Sequence, residues 1–326
     1  MTKKIQIAIC YDFDGTLSPK NMQEYDFMKE IKMTPKKFWK KVKELAKKHN
    51  ADETSVYMKL MIDESKKNEN SFTEKTFKDY GKAIELFKGV DTLFSRINKY
   101  GREQGIVVNH FIISSGLKEM IEGTKIARQF KKIYASSFIY DSNTAAEWPA
   151  VVLNFTTKTK YLFEINKGKN CSNINKYVPD EDREIPFSNM IYIGDGETDV
   201  PCMKIVKKEG GHSIAVYKPK SSKKKIAERL VKEDRVNFIS PADYSENSII
   251  ERLVKSIINK IISDKNLYSF KHKKISGNEV EKGKFKKKVK EITENQDNKV
   301  TSENIKMMEP MENIKVMDKD LNNSSC

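Results

Sequence analysis

The chain has 326 residues, and its content of 38% apolar, 33% charged and 10% aromatic side chains excludes collagen-like and Pro/Gly-rich classes of protein. Lys and Arg number 61 against 46 Asp and Glu, so the formal charge of +15 suits anionic partners or a lysine-rich solvated surface. No stretch reaches the ~20 apolar residues that span a bilayer, and the four cysteines are too far apart for a zinc site or a disulfide framework. We therefore expect a cytoplasmic protein without a membrane segment or a secretory signal.

The first predicted element is a buried strand, because residues 5–11 form a short apolar run rich in β-branched side chains. Residues 20–88 differ, since their apolar side chains recur at helical spacing between charged ones, and this pattern predicts an insertion of four helices. Four large side chains are expected in the core of that insertion, where they could also line a pocket: Trp39, Tyr57, Met58 and Met61.

Helices and strands then alternate to the end of the folded part. The predicted elements are helix 90–100 stopped at Gly101, strand 106–113, helix 117–129, hairpin strands 133–140 and 150–155, a helix from near Lys158, strand 190–193, helix 199–208, strand 212–217, helix 222–232, strand 236–239 and helix 246–263. Such alternation predicts right-handed βαβ units. The expected fold class is α/β, a Rossmann-like doubly wound, mainly parallel sheet with an inserted α-helical domain.

The predicted division of the chain follows these changes of pattern. Residues 1–19 and 89–263 form a split α/β core, and residues 20–88 form the helical insertion. From residue 264 onward Lys, Asn, Glu and Ser dominate and apolar residues are isolated, so 264–326 is expected to be a mostly disordered tail.

The first motif that carries chemistry is DFDGT at residues 12–16. Asp12 and Asp14 are spaced so that both carboxylates can face one pocket where the strand opens into a loop, and Gly15 lets the backbone turn sharply. One carboxylate can act as a nucleophile and the other as a general acid and base. An Asx-type turn is the alternative. An EF-hand loop is excluded, because its required Gly and Glu positions hold Leu17 and Gln23.

Two further polar groups follow predicted strands. Ser114 precedes a turn with Ser115 and Gly116, where a hydroxyl and backbone N–H groups can bind a phosphoryl oxygen, although Ser is also a common helix N-cap. Asp195 and Asp199 lie on the loop GDGETD, where carboxylates can hold a hard cation such as Mg²⁺ or simply cap the next helix. Ligands of open α/β sheets bind at these strand ends, so the three groups are expected to converge.

In this order, D-x-D-G-T, a strand-end Ser, a Lys and G-D-x-x-x-D resemble the haloacid dehalogenase (HAD) superfamily of phosphotransferases, over about residues 5–262. The helical insertion directly after the first motif is similar to the cap of its phosphoserine-phosphatase-like branch, and the predicted hairpin fits that branch too. The resemblance therefore implies a HAD-like core with an inserted helical cap.

The resemblance also implies roles for individual residues. Asp12 would be the nucleophile that forms an aspartyl-phosphate, and Asp14 would protonate the leaving oxygen and later activate water. Ser114 and Lys158 would bind the phosphoryl group, with Lys160 as the alternative lysine. The neighbouring positions Thr16, Ser115 and Gly116 would contribute to substrate binding.

The cofactor implied by the resemblance is Mg²⁺. The side chains of Asp12 and Asp195 and the main-chain carbonyl of Asp14 would be its ligands, and Asp199 would orient the metal site or the lysine.

The predicted function is a Mg²⁺-dependent phosphatase acting on a small phosphorylated metabolite. Within the superfamily, dehalogenases lack an acid at the position of Asp14, because halide needs no proton, so this residue favours phosphomonoester hydrolysis. A phosphomutase uses the same carboxylate pair and remains an alternative. A catalytically weak HAD-fold protein that binds nucleic acid or acts as a scaffold is a second alternative, motivated by the charge of +15 and the lysine-rich C-terminus.

Overall fold

The computed structural model describes residues 4–67, 72–168, 174–268 and 270. The chain divides into two units, Met1–Asp264 and Lys265–Cys326. In the described part of the chain, no helix combines the length and the apolar character that a bilayer-spanning segment needs.

A seven-stranded sheet forms the centre of the described residues of this unit, with strand order β4-β3-β2-β1-β5-β6-β7. All neighbouring strands are parallel except β3 and β4, which form an antiparallel hairpin. The strands are β1 (Gln6–Tyr11), β2 (Val107–Leu117), β3 (Lys132–Tyr140), β4 (Ala146–Val151), β5 (Met190–Gly194), β6 (His212–Tyr217) and β7 (Phe238–Pro241).

Helices cover the sheet and form the segment between β1 and β2. They are α1 (Asp26–Glu30), α2 (Pro35–His49), α3 (Glu53–Lys67), α4 (Glu74–Gly81), α5 (Val90–Glu103), α6 (Lys118–Gly123), α7 (Lys158–Lys167), α8 (Val200–Lys208), α9 (Lys223–Lys232) and α10 (residues 249–264). The first four confirm the predicted helical insertion. Helix α2 shows how local sequence sets its ends, since Thr34 caps it before Pro35 and Asn50 ends it in the left-handed conformation.

The parallel part of the sheet is buried on both faces, as such a sheet requires, whereas β4 at its edge is largely exposed. Along β1, Ile7, Ile9 and Tyr11 join a core cluster with α5, α10 and the helices of 26–81, whereas Ala8 and Cys10 pack with α7, α8 and α9 on the other face. This alternation is the two-residue period of a strand, and it explains why residues 7–11 are apolar throughout.

Several predicted boundaries are wrong, for local reasons. Helix α5 continues past Gly101, because this glycine provides space against the Val108 side chain and does not end the helix. The predicted helix 117–129 is a short α6 followed by a separate 3-10 turn at Ala127–Gln129. Strand β4 begins earlier than predicted, because the Asp141 carboxylate accepts two backbone N–H groups and closes the hairpin turn by residue 145.

Residues 264–268 are helical, and the predicted division of the chain at residue 264 and the disorder of 264–326 stay predictions. The remainder of the predicted disordered segment, apart from residue 270, lies outside the described residues.

Candidate active site

The predicted site residues lie at the carboxyl ends of three adjacent strands. Asp12 follows β1, Ser114 lies near the end of β2, and Asp195 follows β5; β1 is paired with both neighbours. The Asp12 backbone N–H donates to the Ile193 carbonyl at 2.9 Å, which fixes the end of β1 against β5. These residues line one cavity of about 970 Å³, together with residues of the helical segment.

The turn after β1 needs glycine at position 15. Gly15 has φ of +81°, a conformation that other residues rarely adopt, and a Cβ atom there would overlap the carboxylate of Asp195. The same turn directs Asp14 into the cavity wall, where its Oδ1 accepts the backbone N–H of Met22 at 2.9 Å. The glycine therefore lets the loops after β1 and β5 approach each other closely.

Lys158 links two of the motifs. This first residue of α7 is 1% exposed, and its ammonium donates to Oδ1 of Asp12 and to Oδ1 of Asp199, both at 2.8 Å. Burial lowers the pKa of Lys158, but the charges of Asp12 and Asp199 outweigh burial and raise it above its usual value. Lys160, the alternative, is exposed, and its ammonium lies 5.4 Å from the centroid of the Tyr161 ring.

Asp199 is fully buried and accepts four hydrogen bonds. Its Oδ1 also receives the Tyr192 hydroxyl at 2.8 Å, and its Oδ2 receives the backbone N–H groups of Asp195 and Gly196 at 3.2 and 3.4 Å. Both oxygens are therefore occupied, and Asp199 holds the loop after β5 in place beside Lys158.

Burial and mutual repulsion shift the pKa values of the other carboxyl groups upward. Burial, followed by the charge of Asp199, raises the pKa of Asp12 to about 7, although Lys158 opposes this shift. Burial and the charge of Asp12 raise the pKa of Asp14 well above its usual value. The pKa of Asp195 is also raised, by burial first. Burial and the neighbouring carboxylates therefore favour the protonated forms of these three side chains.

The donor set suits a hard divalent cation. Asp12, Asp195 and Asp199 each offer a carboxylate oxygen, and these atoms all lie within 4.8 Å of one another. Oxygen ligands of this kind are those that Mg²⁺ prefers, and its charge would offset the mutual repulsion of these carboxylates. Lys223, which is 49% exposed, forms an ion pair with Oδ2 of Asp195 at 2.5 Å.

The turn near the end of β2 is a bulged part of the strand, and not the loop that the sequence predicts. Ser114 is buried, and its Oγ accepts the backbone N–H of Gly116 at 3.0 Å, which leaves the hydroxyl hydrogen for another acceptor. The carbonyl of Ser115 accepts the Tyr57 hydroxyl at 2.5 Å, and a Cβ atom on Gly116 would overlap the Met22 side chain. The backbone here is thus fixed by close contacts.

Thr16 lies beside the first motif. Its hydroxyl lies 3.5 Å from Oδ2 of Asp12, and its carbonyl accepts the Tyr244 hydroxyl at 2.7 Å. The second bond ties the turn after β1 to the segment that precedes α10.

Some residues that line the cavity could not be identified as such from the sequence. Met58 and Met61 are buried as predicted, whereas Trp39 and Tyr57 line the cavity. Gln23, Asn154 and Lys223 also line it. Helical spacing signals only that a side chain faces inward, and Lys223 was visible only as part of a lysine run.

The haloacid dehalogenase-like hydrolase family matches residues 9–204 of this chain. The chain belongs to this family. An uncharacterized protein of Borreliella burgdorferi is 30% identical over 283 residues, which cover 77% of this chain and 98% of the relative. The match begins within β1 and ends within α8, so this hydrolase family covers every predicted site residue from Asp12 to Asp199.

Two solved structures share the fold of this haloacid dehalogenase-like hydrolase. A HAD family hydrolase from Salmonella enterica subsp. enterica serovar Typhi aligns with a TM-score of 0.50 at 17% identity, over 77% of this chain and 70% of its own. A probable phosphoserine phosphatase from Vibrio cholerae aligns with a TM-score of 0.50 at 13% identity, over 80% of this chain and 67% of its own. At these identities the likeness concerns the fold.

Proposed function

We propose that this haloacid dehalogenase-like hydrolase is a Mg²⁺-dependent phosphatase that hydrolyses a small phosphomonoester through an aspartyl-phosphate on Asp12. The observation that carries the proposal is the buried ammonium of Lys158, which joins Asp12 and Asp199 beside Asp195 at the strand ends. In this proposal, 1–19 and 89–263 form the catalytic core, and 20–88 forms the cap.

The chemistry follows from the contacts of the two carboxylates in the first motif. Lys158 holds Oδ1 of Asp12, so Oδ2 is the oxygen that attacks phosphorus while the bond from phosphorus to the ester oxygen breaks. Asp14, whose raised pKa favours the protonated form, gives its proton to the departing oxygen. Asp14 then takes a proton from the water that attacks the same phosphorus, which releases inorganic phosphate and restores Asp12.

Positive charge and hydrogen-bond donors must offset the repulsion between the phosphate dianion and a carboxylate nucleophile. Lys158 and the hydroxyl of Ser114 supply part of this compensation. Mg²⁺, when bound, would supply the rest as a Lewis acid held by Asp12 and Asp195, with the main-chain carbonyl of Asp14 as the further protein ligand. Asp199 would position Lys158 and the loop, because both of its oxygens already accept hydrogen bonds.

The test is hydrolysis of p-nitrophenyl phosphate by the purified full chain, with inorganic phosphate measured directly so that transfer to another acceptor is distinguished. Activity should require Mg²⁺, disappear with EDTA, and fall at least about a thousandfold in Asp12→Asn, because the amide cannot attack phosphorus. Asp63→Asn, a partly exposed acid on α3 that pairs with Lys59 and does not line the cavity, is the matched control and should retain full activity. An active Asp12→Asn variant would overturn the proposal.

A further inference from the structure

Helix α2 carries a concentration of positive charge away from the cavity. Seven of its 15 residues are lysines, and it contains one acid, Glu44. Four of these lysines follow one another at intervals of four, three and four residues, so they lie on the same side of the helix. All four are exposed, and we call them the lysine face: Lys36, Lys40, Lys43 and Lys47. At 1.5 Å per residue this face extends for about 16 Å along the helix.

The lysine face lacks the acidic partners that other exposed lysines of this chain have. Of its four members, only Lys40 forms an ion pair with a described residue, and that pair, with Glu44, is long at 3.7 Å. By contrast, the carboxylate of Asp79 binds the ammonium groups of both Lys75 and Lys82, at 2.9 and 2.6 Å. The positive charge of the lysine face is therefore available to a ligand from solution.

The folding of α2 does not explain this arrangement. Like charges three or four residues apart on a helix repel each other, and every neighbouring pair on the lysine face has this spacing. Lys36 also lies in the first turn, where the helix macrodipole favours acids and α2 has none, whereas Lys47 in the last turn is favourably placed. The repulsion along the face would be relieved by a row of anionic groups.

The rest of the helix restricts the class of anionic partner. Phe38, Val42 and Ala46 are buried in the protein, and Trp39 is held inward by its hydrogen bond to Glu24. No large apolar side chain of α2 is exposed, so the helix has nothing to insert into a lipid bilayer. The cores of protein–protein interfaces are enriched in aromatic side chains and depleted in lysine, which is the opposite of this face.

We propose that the lysine face binds the phosphate backbone of a nucleic acid duplex, without base specificity. Lysines contact phosphates as point charges, and such contacts carry no sequence information. A binding site for single strands would present exposed aromatic rings to the bases, and the lysine face has none. None of its four lysines lines the catalytic cavity, so this binding does not depend on the proposed phosphatase function.

The first test is fluorescence anisotropy with the full chain and a labelled duplex of about 24 base pairs, prepared as DNA and as RNA, at several KCl concentrations without Mg²⁺. For DNA, the logarithm of the association constant falls by about 0.9 per neutralised phosphate for each tenfold rise in salt. Combining Lys36→Gln, Lys40→Gln, Lys43→Gln and Lys47→Gln should therefore reduce the magnitude of this slope by about 3 to 4. The affinity at low salt should fall at least about tenfold.

The matched control removes the same formal charge from exposed lysines that pair with acids. It combines Lys75→Gln, Lys82→Gln, Lys99→Gln and Lys260→Gln. This control should keep the affinity and the salt dependence of the wild type. Equal losses in the two variants would mean that net charge alone attracts the duplex, and full affinity in the lysine-face variant would mean that α2 does not bind it. Either result would overturn the proposal.

Co-sedimentation with vesicles that contain phosphatidylserine distinguishes a nucleic acid from a membrane. The full chain should bind the duplex more tightly than the vesicles. Vesicle binding that is the tighter of the two and is lost in the lysine-face variant would assign this face to a membrane and overturn the proposal.

Thermal melting separates a binding role from a structural one. Lysine and glutamine have similar helix propensities, so the lysine-face variant should melt no lower than the wild type at low salt, where the repulsion is strongest. Hydrolysis of p-nitrophenyl phosphate by this variant should also be unchanged, since its cavity is intact. A lower melting temperature together with unchanged duplex affinity would make the four lysines structural and overturn the proposal.

Discussion

On the strand-end side of the cavity, the buried Lys158 ammonium meets two carboxylates at 2.8 Å each. On the helical wall, formed by the cavity-lining residues between 20 and 57, the buried Oε1 of Gln23 has no donor among the described residues. The first arrangement is complete within the protein, and its parts are held by adjacent strands of one sheet. The second arrangement leaves a buried polar atom without a partner among the described residues. The comparison suggests that the sheet supplies a chemistry common to many substrates, and that the helices between β1 and β2 choose among them.

This difference predicts that substitutions on the two sides of the cavity have different effects on turnover. A change at the strand ends should reduce turnover of every phosphomonoester, because it removes charge or position from the reacting groups. A change on the helical wall should alter the relative rates of different substrates, because it acts on the group that leaves. Substitutions at Lys158, Glu251 and Tyr57 test this division.

The largest effect is expected for Lys158→Met. Loss of the ammonium leaves Asp12 and Asp199 buried without their shared partner, so kcat should fall at least about a thousandfold for all substrates. The matched control is Lys160→Met, two residues along the same helix, where the lysine is exposed. Steady-state rates and thermal melting of both variants provide the measurement. A Lys158→Met enzyme with normal kcat would refute the strand-end account.

Glu251→Gln tests whether loss of a buried ion pair is enough to stop the enzyme. Glu251 is fully buried in α10 and is bound by Arg96 at 3.2 Å and Lys255 at 2.9 Å, away from the cavity lining. We expect a loss of about 3 kcal/mol in the free energy of unfolding, measured in urea, with unchanged kcat at 25 °C. A loss of kcat in a variant that remains folded would show that the two regions are not independent.

The same variant has a defined pH dependence. Burial raises the pKa of Glu251, but its hydrogen bonds from Lys255 and Arg96 outweigh burial and hold the pKa below its ordinary value. A lowered pKa in the folded state stabilises the protein above the unfolded pKa of about 4.3, and this contribution is lost as pH falls through the folded pKa. The stability difference between wild type and Glu251→Gln should therefore be full at pH 7 and shrink below about pH 4. A difference that grows on acidification would contradict the assignment.

A smaller effect is expected for Tyr57→Phe. The tyrosine hydroxyl donates to the Ser115 carbonyl at 2.5 Å, and so connects α3 to the end of β2. Its removal should cost about 1 kcal/mol of unfolding free energy and raise KM more than it lowers kcat. Ser55→Ala on the same helix, outside the cavity lining, is the control. An equal fall in kcat for every substrate would place Tyr57 with the strand-end group instead.

The sheet was largely predictable from the sequence, because a buried strand has a clear local pattern. The residues of β6 coincide with the predicted 212–217, and β1 differs from its prediction by one residue. The predicted helix end at Gly101 is wrong because a glycine can either end a helix or allow close packing. Only the position of the Val108 side chain in the structure distinguishes the two roles. The start of β4 depended on the Asp141 turn, which a strand pattern does not reveal.

The two sides of the cavity differ in predictability for a similar reason. Parallel strands place their carboxyl ends at one edge, so the order of motifs along the chain already brings Asp12 and Asp195 together. On the helices, periodicity shows that Trp39 and Tyr57 face inward, but a core and a cavity produce the same pattern. Whether Oε1 of Gln23 finds a hydrogen-bond donor depends on side chains that are distant in the sequence. No local sequence pattern shows that such a donor is missing among the described residues.

In the proposed mechanism, Asp12 carries the phosphoryl group during turnover. The direct measurement is peptide mass spectrometry after rapid acid quenching of the enzyme during steady-state hydrolysis with Mg²⁺. The account predicts a transient, hydroxylamine-sensitive phosphoryl group on the peptide that contains Asp12, absent from the Asp12→Asn variant. A phosphoryl group on another residue that turns over as fast as the substrate, or persistent turnover by Asp12→Asn, would contradict it.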